Sequence, residues 1–457
     1  MSIYYGDNGT NYVLTDKIGG GGVGTIYRIQ GDQAHVAKIF LKREKQRDTK
    51  VKALRQLKWS DEIKRYVALP QVILYEDKEK SKQCGYVMEN VDCSTLLTDT
   101  FIGDRPLSIR RRAIVGLNIC KVLRAIHEES GGKKGQLLMG DFNFNNIAVN
   151  RYNGEIRIID TDSFHLKVRT EGSSNYQTLP CTELYPDLFM PEILCLQSKY
   201  KGATLEQLSN SGAKAKDPKD RFETFTLYTD YYCLAYHLHL LLLNCAPFSC
   251  ALPAAIVGKA SQFVPPPNML KMNGNYCYSN LYNDNVKKTV LPEYCPDFGI
   301  LTPNLQNLFI RAFEKGARQP ELRPSPDEFI SALSEYIESL DFCECDGWNH
   351  YLRDGYNSMY CEWCRVEKVA GSFSEFPKRL EDIQYMTDME LMACSRKAKA
   401  RNNSNVRDYV THELSYRYHH KGHNGESRLK ANVIKKLFVD ICAKIAEKKH
   451  EDLKITK

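Results

Sequence analysis

Between residues 12 and 90 the hydrophobic positions come in short alternating runs, interrupted once by a charged stretch. Tyr12-Val13-Leu14 and Lys17-Ile18 lead into a glycine-rich segment, and Ile26-Tyr27-Arg28-Ile29 alternates with the period of a half-buried strand. His35 to Phe40, Val72-Ile73-Leu74 and Tyr86-Val87-Met88 predict further strands. Residues 42–58 place Val51, Leu54 and Leu57 on one face and predict a single intervening helix. From about residue 108 the period changes: Ile114, Leu117, Leu123 and Ile126 recur at three- and four-residue steps, as on a helix. Two short strands around Asn153-Gly154 follow, a dipeptide suited to a tight hairpin. Residues 163–222 read as loop-rich, and helices are predicted again at 224–243, 304–317 and 326–340. Between the first two of these, 249–300 is rich in Pro, Asn and Gly and is expected to wind over the surface. The longest apolar run, Tyr231 to Leu243, is too short to cross a bilayer and contains His237 and His239, so it predicts a buried helix.

Composition narrows the class. The 457 residues allow two or three domains, and 42% hydrophobic with 26% charged residues is ordinary for a soluble globular chain. The net charge of +7 is uneven: residues 394–457 hold 16 Lys/Arg against 7 Asp/Glu. The rest is slightly acidic, which excludes the main body as a binder of polyanions. In the tail, Val433, Leu437, Ile441 and Ile445 have helical spacing, which predicts helices packing on themselves or on the preceding domain. Nucleic-acid docking through the tail's basic residues is the alternative there. No signal segment opens the chain and most of the 16 cysteines are scattered, which predicts a reduced, cytoplasmic protein without a membrane partner.

The candidate chemistry lies in three places. Ile18-Gly19-Gly20-Gly21-Gly22-Val23-Gly24 contains Gly-x-Gly-x-x-Gly between two strands; a dinucleotide fold needs a helix after it. Glycines let a backbone approach phosphate, although a plain hairpin tip is the bland alternative. Val36-Ala37-Lys38 puts a lysine in an apolar strand, where it needs an anionic partner. Asp141, then Asn146, then Asp160 after Ile158-Ile159, give one carboxylate able to accept a hydroxyl proton and two oxygen donors able to hold Mg²⁺. Separately, Cys345, His350, Cys361 and Cys364 make a plausible tetrahedral zinc set, with Cys343 competing for the place of Cys345. A reduced Cys-rich loop is the alternative.

In this order, loop, strand lysine, hinge, Asp, Asn and Asp, the chain resembles the eukaryotic-type protein kinase superfamily over about residues 10–340. The resemblance implies an α+β, bilobal protein-kinase-like fold: a small β-rich N-lobe at about 10–90 and a large helical C-lobe at about 91–340. A zinc-ribbon-like segment at 341–366 and a basic helical tail at 367–457 would follow. It implies that Gly19, Gly21 and Gly24 cover ATP phosphates, that Lys38 contacts them, and that Glu89 and Val91 belong to an adenine-binding hinge with Met88 as gatekeeper. Asp141 matches the catalytic Asp, and Asn146 and Asp160 match the Mg²⁺ ligands. Glu192 of Met190-Pro191-Glu192 is similar to the glutamate that pairs with an arginine, here Arg323, and Asp230 to the buried Asp below the catalytic loop. Ser173, Ser174 and Thr178 would be self-phosphorylation sites.

The departures matter. Met139-Gly140 replaces His-Arg, Asn143 replaces the catalytic-loop lysine, and Thr161-Asp162 replaces Phe-Gly. Residues 45–60 contain no Glu, so Lys38 must pair with Glu44, Asp48 or Glu62, or lack its usual partner. These features resemble a divergent bacterial branch linked to tellurite stress or phage defence, encoded beside a phosphatase and a von Willebrand-type domain protein. The expected activity is ATP- and Mg²⁺-dependent Ser/Thr protein phosphorylation with slow turnover. A nucleotide-binding pseudokinase scaffold and a small-molecule kinase are the alternatives.

Overall fold

Ser2–Gly6 forms a strand, β1, ahead of the first one predicted, and it decides the N-terminal architecture. In the computed structural model β1 pairs on one side with β2 (Asn11–Gly20). On the other it pairs with β5 (Val72–Tyr75), through Tyr5↔Tyr75 and Gly6↔Leu74. With β3 (Gly24–Ile29), β4 (Asp32–Phe40) and β6 (Gln83–Glu89) the order is β1-β2-β3-β4-β6-β5, a closed six-stranded antiparallel barrel. The expected fold class is therefore corrected: these strands do not build the small sheet of a bilobal kinase-like fold. The physical reason is the edge. β1 supplies hydrogen-bond partners to both β2 and β5, and closure leaves no strand edge open. Its own side chains are mostly exposed or half-buried, so its pattern carries no strong strand signal.

The structure describes residues 2–101, 107–128, 137–151, 153–169, 176–181, 184–201, 225–252, 264–279, 289–343, 346–352, 361–370, 386, 388–400 and 404–419. The period of two is clear on the barrel strands. Ala37, Leu74 and Val87 cluster with Leu14, Ile29 and Cys84. Val36, Tyr86 and Met88, on the opposite face, pack with Ile73, Ala68 and Val51. Val51 belongs to α1 (Lys45–Gln56), which buries Val51 and Leu54 as its pattern predicts; Leu57 is the C-cap and stays exposed. A second helix, α2 (Asp61–Tyr66), follows; the Ser60 side chain caps it by accepting from the Ile63 N–H.

The larger body is built from α3 (Ile109–Glu128), α4 (Pro191–Lys199), α5 (Leu227–Leu243), α6 (Pro267–Asn273), α7 (Pro303–Ile310) and α8 (Pro326–Ser339) around one core. Gly116 lets α3 approach α5, since a Cβ there would lie 2.7 Å from Leu238 Cδ2. The helix expected at 304–317 ends as α7 and continues as a π-turn at Arg311–Lys315. α4 lies inside the stretch read as loop-rich, started by Pro191 at its first position. Short strands β7 (Leu137–Leu138), β8 (Ile147–Val149), β9 (Ile156–Ile158), β10 (His165–Arg169) and β11 (Tyr176–Leu179) carry the chain past the site. After α8 come the antiparallel pair β12 (Leu340–Cys343) and β13 (Asp346–Leu352), then α9 (Glu362–Ala370), α10 (Asp388–Ala400) and α11 (Ser404–His419). The tail stripe Val433, Leu437, Ile441 and Ile445 lies outside the described residues. Among the described residues no helix is long and apolar enough to cross a membrane.

Candidate functional site

Lys38 sits on β4 directly opposite Tyr86 of β6, so both side chains leave the same face of the barrel. The close approach of these strands depends on Gly85, where a Cβ would lie 2.0 Å from the Lys38 carbonyl oxygen. Lys38 is buried and bonds two carboxylates, Asp160 and Asp162, the latter at 2.6 Å. Tyr86 donates its hydroxyl to the same Asp162 oxygen at 2.8 Å, and Arg47 of α1 lies 3.8 Å from the other. The two Asp side chains differ in access: Asp160 is 32% exposed and Asp162 3%.

The charges set the protonation. Burial alone would lower Lys38, but the carboxylates of Asp162 and Asp160 push it above its ordinary value. Burial and the neighbouring Asp162 charge push Asp160 up to about 7, against the pull of Lys38. Burial opposes ionisation of Asp162 too, yet the Lys38 ammonium and hydrogen bonds, Tyr86's included, hold it below the usual carboxylate range. Asp162 is thus the ionised partner of Lys38 and Arg47, and Asp160 is the carboxylate whose charge is suppressed near neutral pH.

The hairpin of β8 and β9 brings in the next group. Its register pairs Ile147 with Ile158, and the Ile159 N–H donates to the Asn146 carbonyl at 2.9 Å. Asn146 thus neighbours Asp160, and its side-chain amide donates to the Asp141 carbonyl oxygen at 3.2 Å. The Asp141 carboxylate accepts the Tyr185 N–H at 3.0 Å. Asp230 of α5 supports the loop from below, accepting from the N–H groups of Met139 (2.8 Å) and Gly140 (3.3 Å) and meeting His127 at 2.8 Å. Gly140 has φ +69°, and a Cβ there would lie 2.7 Å from that of Cys181. The backbone and the neighbouring Cys181 both demand glycine at this position. His237 meets the Phe142 carbonyl at 2.6 Å and packs between Phe142 and Phe144. Farther out, a buried Arg323 forms a two-bond ion pair with the partly buried Glu192, at 2.7 and 2.5 Å.

The glycines are not equivalent. Gly21 and Gly22 form an exposed tip with open space around each Cβ position. Gly24 is buried, and a Cβ there would lie 2.9 Å from the Ile39 carbonyl and 3.2 Å from Lys38 Cε. Gly19 stands opposite Ile26 and only grazes its side chain. The two residues expected at a hinge, Glu89 and Val91, are set apart. Glu89 bonds Arg157, and with Val91 it lines a cavity of about 560 Å³ beside the β8–β9 hairpin, whose lining includes neither Lys38 nor Asp160.

The partners weighed for Lys38 lie elsewhere: Glu44 pairs with Arg47 at 3.1 Å, Asp48 approaches Arg43 at 3.5 Å, and Glu62 is exposed. The sequence reading misses Asp162 and Tyr86. The available signal is the pairing of a helix rich in Arg and Lys with a second acid two residues after Asp160. Of the zinc set, Cys361 and Cys364 flank the buried Trp363 at the start of α9. Cys345 lies outside the described residues, as does the side chain of His350, whose backbone is in β13. Ser173 and Ser174 are outside as well, while Thr178 is exposed on β11. Among the described residues no three His, Cys, Asp or Glu side chains are grouped to hold a metal ion. A magnesium site completed by phosphate and water needs only one or two protein ligands. No protein-family model matches this chain, and a search of curated proteins finds no match.

Proposed function

We propose that this chain is an ATP- and Mg²⁺-dependent phosphotransferase acting on Ser/Thr hydroxyls of proteins, itself included. The observation that supports it best is the convergence of Lys38, Asp160 and Asn146 beside Gly24 and Asp141. The residues fit a magnesium nucleotide. Asp160 is an accessible carboxylate whose ionisation is opposed by burial and the Asp162 charge, an opposition that a divalent cation would relieve. Asn146 uses its amide nitrogen toward Asp141, which leaves the amide oxygen as the ligating atom. The bound nucleotide supplies an activated phosphoryl group. Asp141 orients the attacking hydroxyl and accepts its proton, Lys38 neutralises phosphate charge, and the glycine hairpin excludes water. The reading rests on these residues and needs no kinase-like sheet, since the same chemistry recurs on different folds.

The ion pair Arg323–Glu192 favours a protein substrate over a small molecule, by resemblance to protein-modifying enzymes. A role in bacterial stress or phage-defence signalling, with a phosphatase and a von Willebrand-type partner, follows from the resemblance alone. A structural Zn²⁺ on Cys345, His350, Cys361 and Cys364 belongs to the same reading. A nucleotide-responsive scaffold without transfer is the second reading. It is favoured by Asn143, a neutral side chain where a lysine would meet transition-state charge. Transfer of labelled γ-phosphate by wild type and by Asp160→Asn tests both. Equal labelling removes the assignment, and nucleotide binding without any labelled product favours the scaffold.

A further inference from the structure

In the helix that precedes β5, cations stand where the lysine's carboxylate partner was sought. α1 offers Arg47 and Lys50 to the segment after Asp160: Arg47 reaches Asp162, and Lys50, itself buried, donates to the Pro180 carbonyl at 2.7 Å. The acid that meets Lys38 comes from the opposite side, 124 residues further along the chain. We propose that Asp162 is the positioning residue for Lys38, clamped by Tyr86 and Arg47, so that α1 controls the lysine through Asp162 rather than through a glutamate of its own. The inference rests on the phosphotransferase reading for its catalytic meaning.

Three features carry it. Lys38, Tyr86 and Asp162 are all buried, so the contact has little competition from water. The strand register fixes Lys38 and Tyr86 side by side, and both bond one oxygen of Asp162. That leaves the second oxygen toward Arg47. Asp160 also touches Lys38, but it is the accessible carboxylate and the one assigned to magnesium. When a cation draws Asp160 away, Asp162 is the acid that still fixes the ammonium. Asp162 touches no reacting atom and acts only by holding Lys38.

The test has one arm that needs no catalysis. Full-length protein is treated with an amine-reactive activated ester across a pH series, without nucleotide, and labelling of Lys38 is read by mass spectrometry. Asp162→Asn is expected to make Lys38 react at lower pH, with the half-labelling point shifted down by about one unit or more. Tyr86→Phe shifts it less, and Asp162→Glu restores part of the wild-type profile. The second arm measures KM for Mg²⁺-ATP and kcat. Asp162→Asn is expected to cost about tenfold to a hundredfold in kcat/KM, mostly in kcat, with partial rescue by Asp162→Glu. An unchanged labelling profile in folded Asp162→Asn overturns the clamp. A shifted profile in Asp162→Asn, together with a wild type that binds no Mg²⁺-ATP, keeps the clamp and overturns the phosphotransferase reading. A shifted profile with unchanged kinetics in an active enzyme overturns the positioning role.

Discussion

Replacing Asp160 by Asn tests the charge balance on which the site depends. Two carboxylates face Lys38, and burial with the neighbouring Asp162 charge pushes Asp160 up to about 7. Its folded value lies above its unfolded one, so the folded state binds the extra proton. Wild-type stability from this group is present below about pH 4 and is lost as pH rises through about 7. If the full shift of about 3 units were felt, the ionised group would cost about 4 kcal/mol at pH 8. Asp160 is about one-third exposed, so screening reduces the expected cost to about 1–2 kcal/mol. Asn is the right probe because Asp160 has φ +67°, a left-handed backbone that Asn tolerates and Ala does not. Urea unfolding of both proteins between pH 4.5 and 8 should show Asp160→Asn more stable at pH 8 by that amount, the gap closing toward acid. Mg²⁺-nucleotide should then stabilise the wild type, by about 2.7 kcal/mol at a hundred times Kd, and leave the variant nearly unmoved. A variant no more stable at pH 8, with an unchanged pH slope, refutes the charge reading; equal nucleotide stabilisation refutes the metal role.

Glycine positions should separate by geometry. Gly24→Ala, whose Cβ would press on the Ile39 carbonyl and Lys38, should cost about 1–3 kcal/mol and weaken nucleotide binding, while Gly21→Ala, with open space, should stay within about 0.5 kcal/mol by the same denaturation assay. Arg323→Met leaves the partly buried Glu192 carboxylate unpaired and should lower stability by about 2–4 kcal/mol, read as a shifted urea midpoint. Burial pushes His165 down to about 3, His237 to about 4 and His239 to about 3, so their stability is full above about pH 6.5 and lost as pH falls toward these values. His237→Gln should flatten the acid limb of the stability curve. Purified protein should carry about one zinc per chain by elemental analysis, lost in Cys361→Ser with Cys364→Ser; a metal-free wild type removes that assignment.

What the sequence makes legible follows from where each signal is stored. Alternation and short apolar runs place β2 to β6, the step of three or four places α1 and α3, and a long apolar run places α5. β1 escapes because it buries little, and its contribution is backbone pairing to two strands distant in sequence. That single omission turns a closed barrel into an expected open sheet. α2 is six residues, below the length at which periodicity speaks. The same division runs through the site. Lys38, Asn146 and Asp160 are legible because their chemistry is written in residue type and spacing. The partner of Lys38 is not, because it is decided by a cross-strand register and by a contact across 124 residues. Charge was nevertheless a usable clue. α1 turns Arg47 toward Asp162 and its one acid, Asp48, toward Arg43, so the acid for Lys38 comes from the segment that Arg47 reaches, where Asp162 is buried. That puts control of Lys38 on the segment that also carries Asp160, the proposed magnesium ligand. Any movement of residues 160–162 therefore changes two functional groups at once.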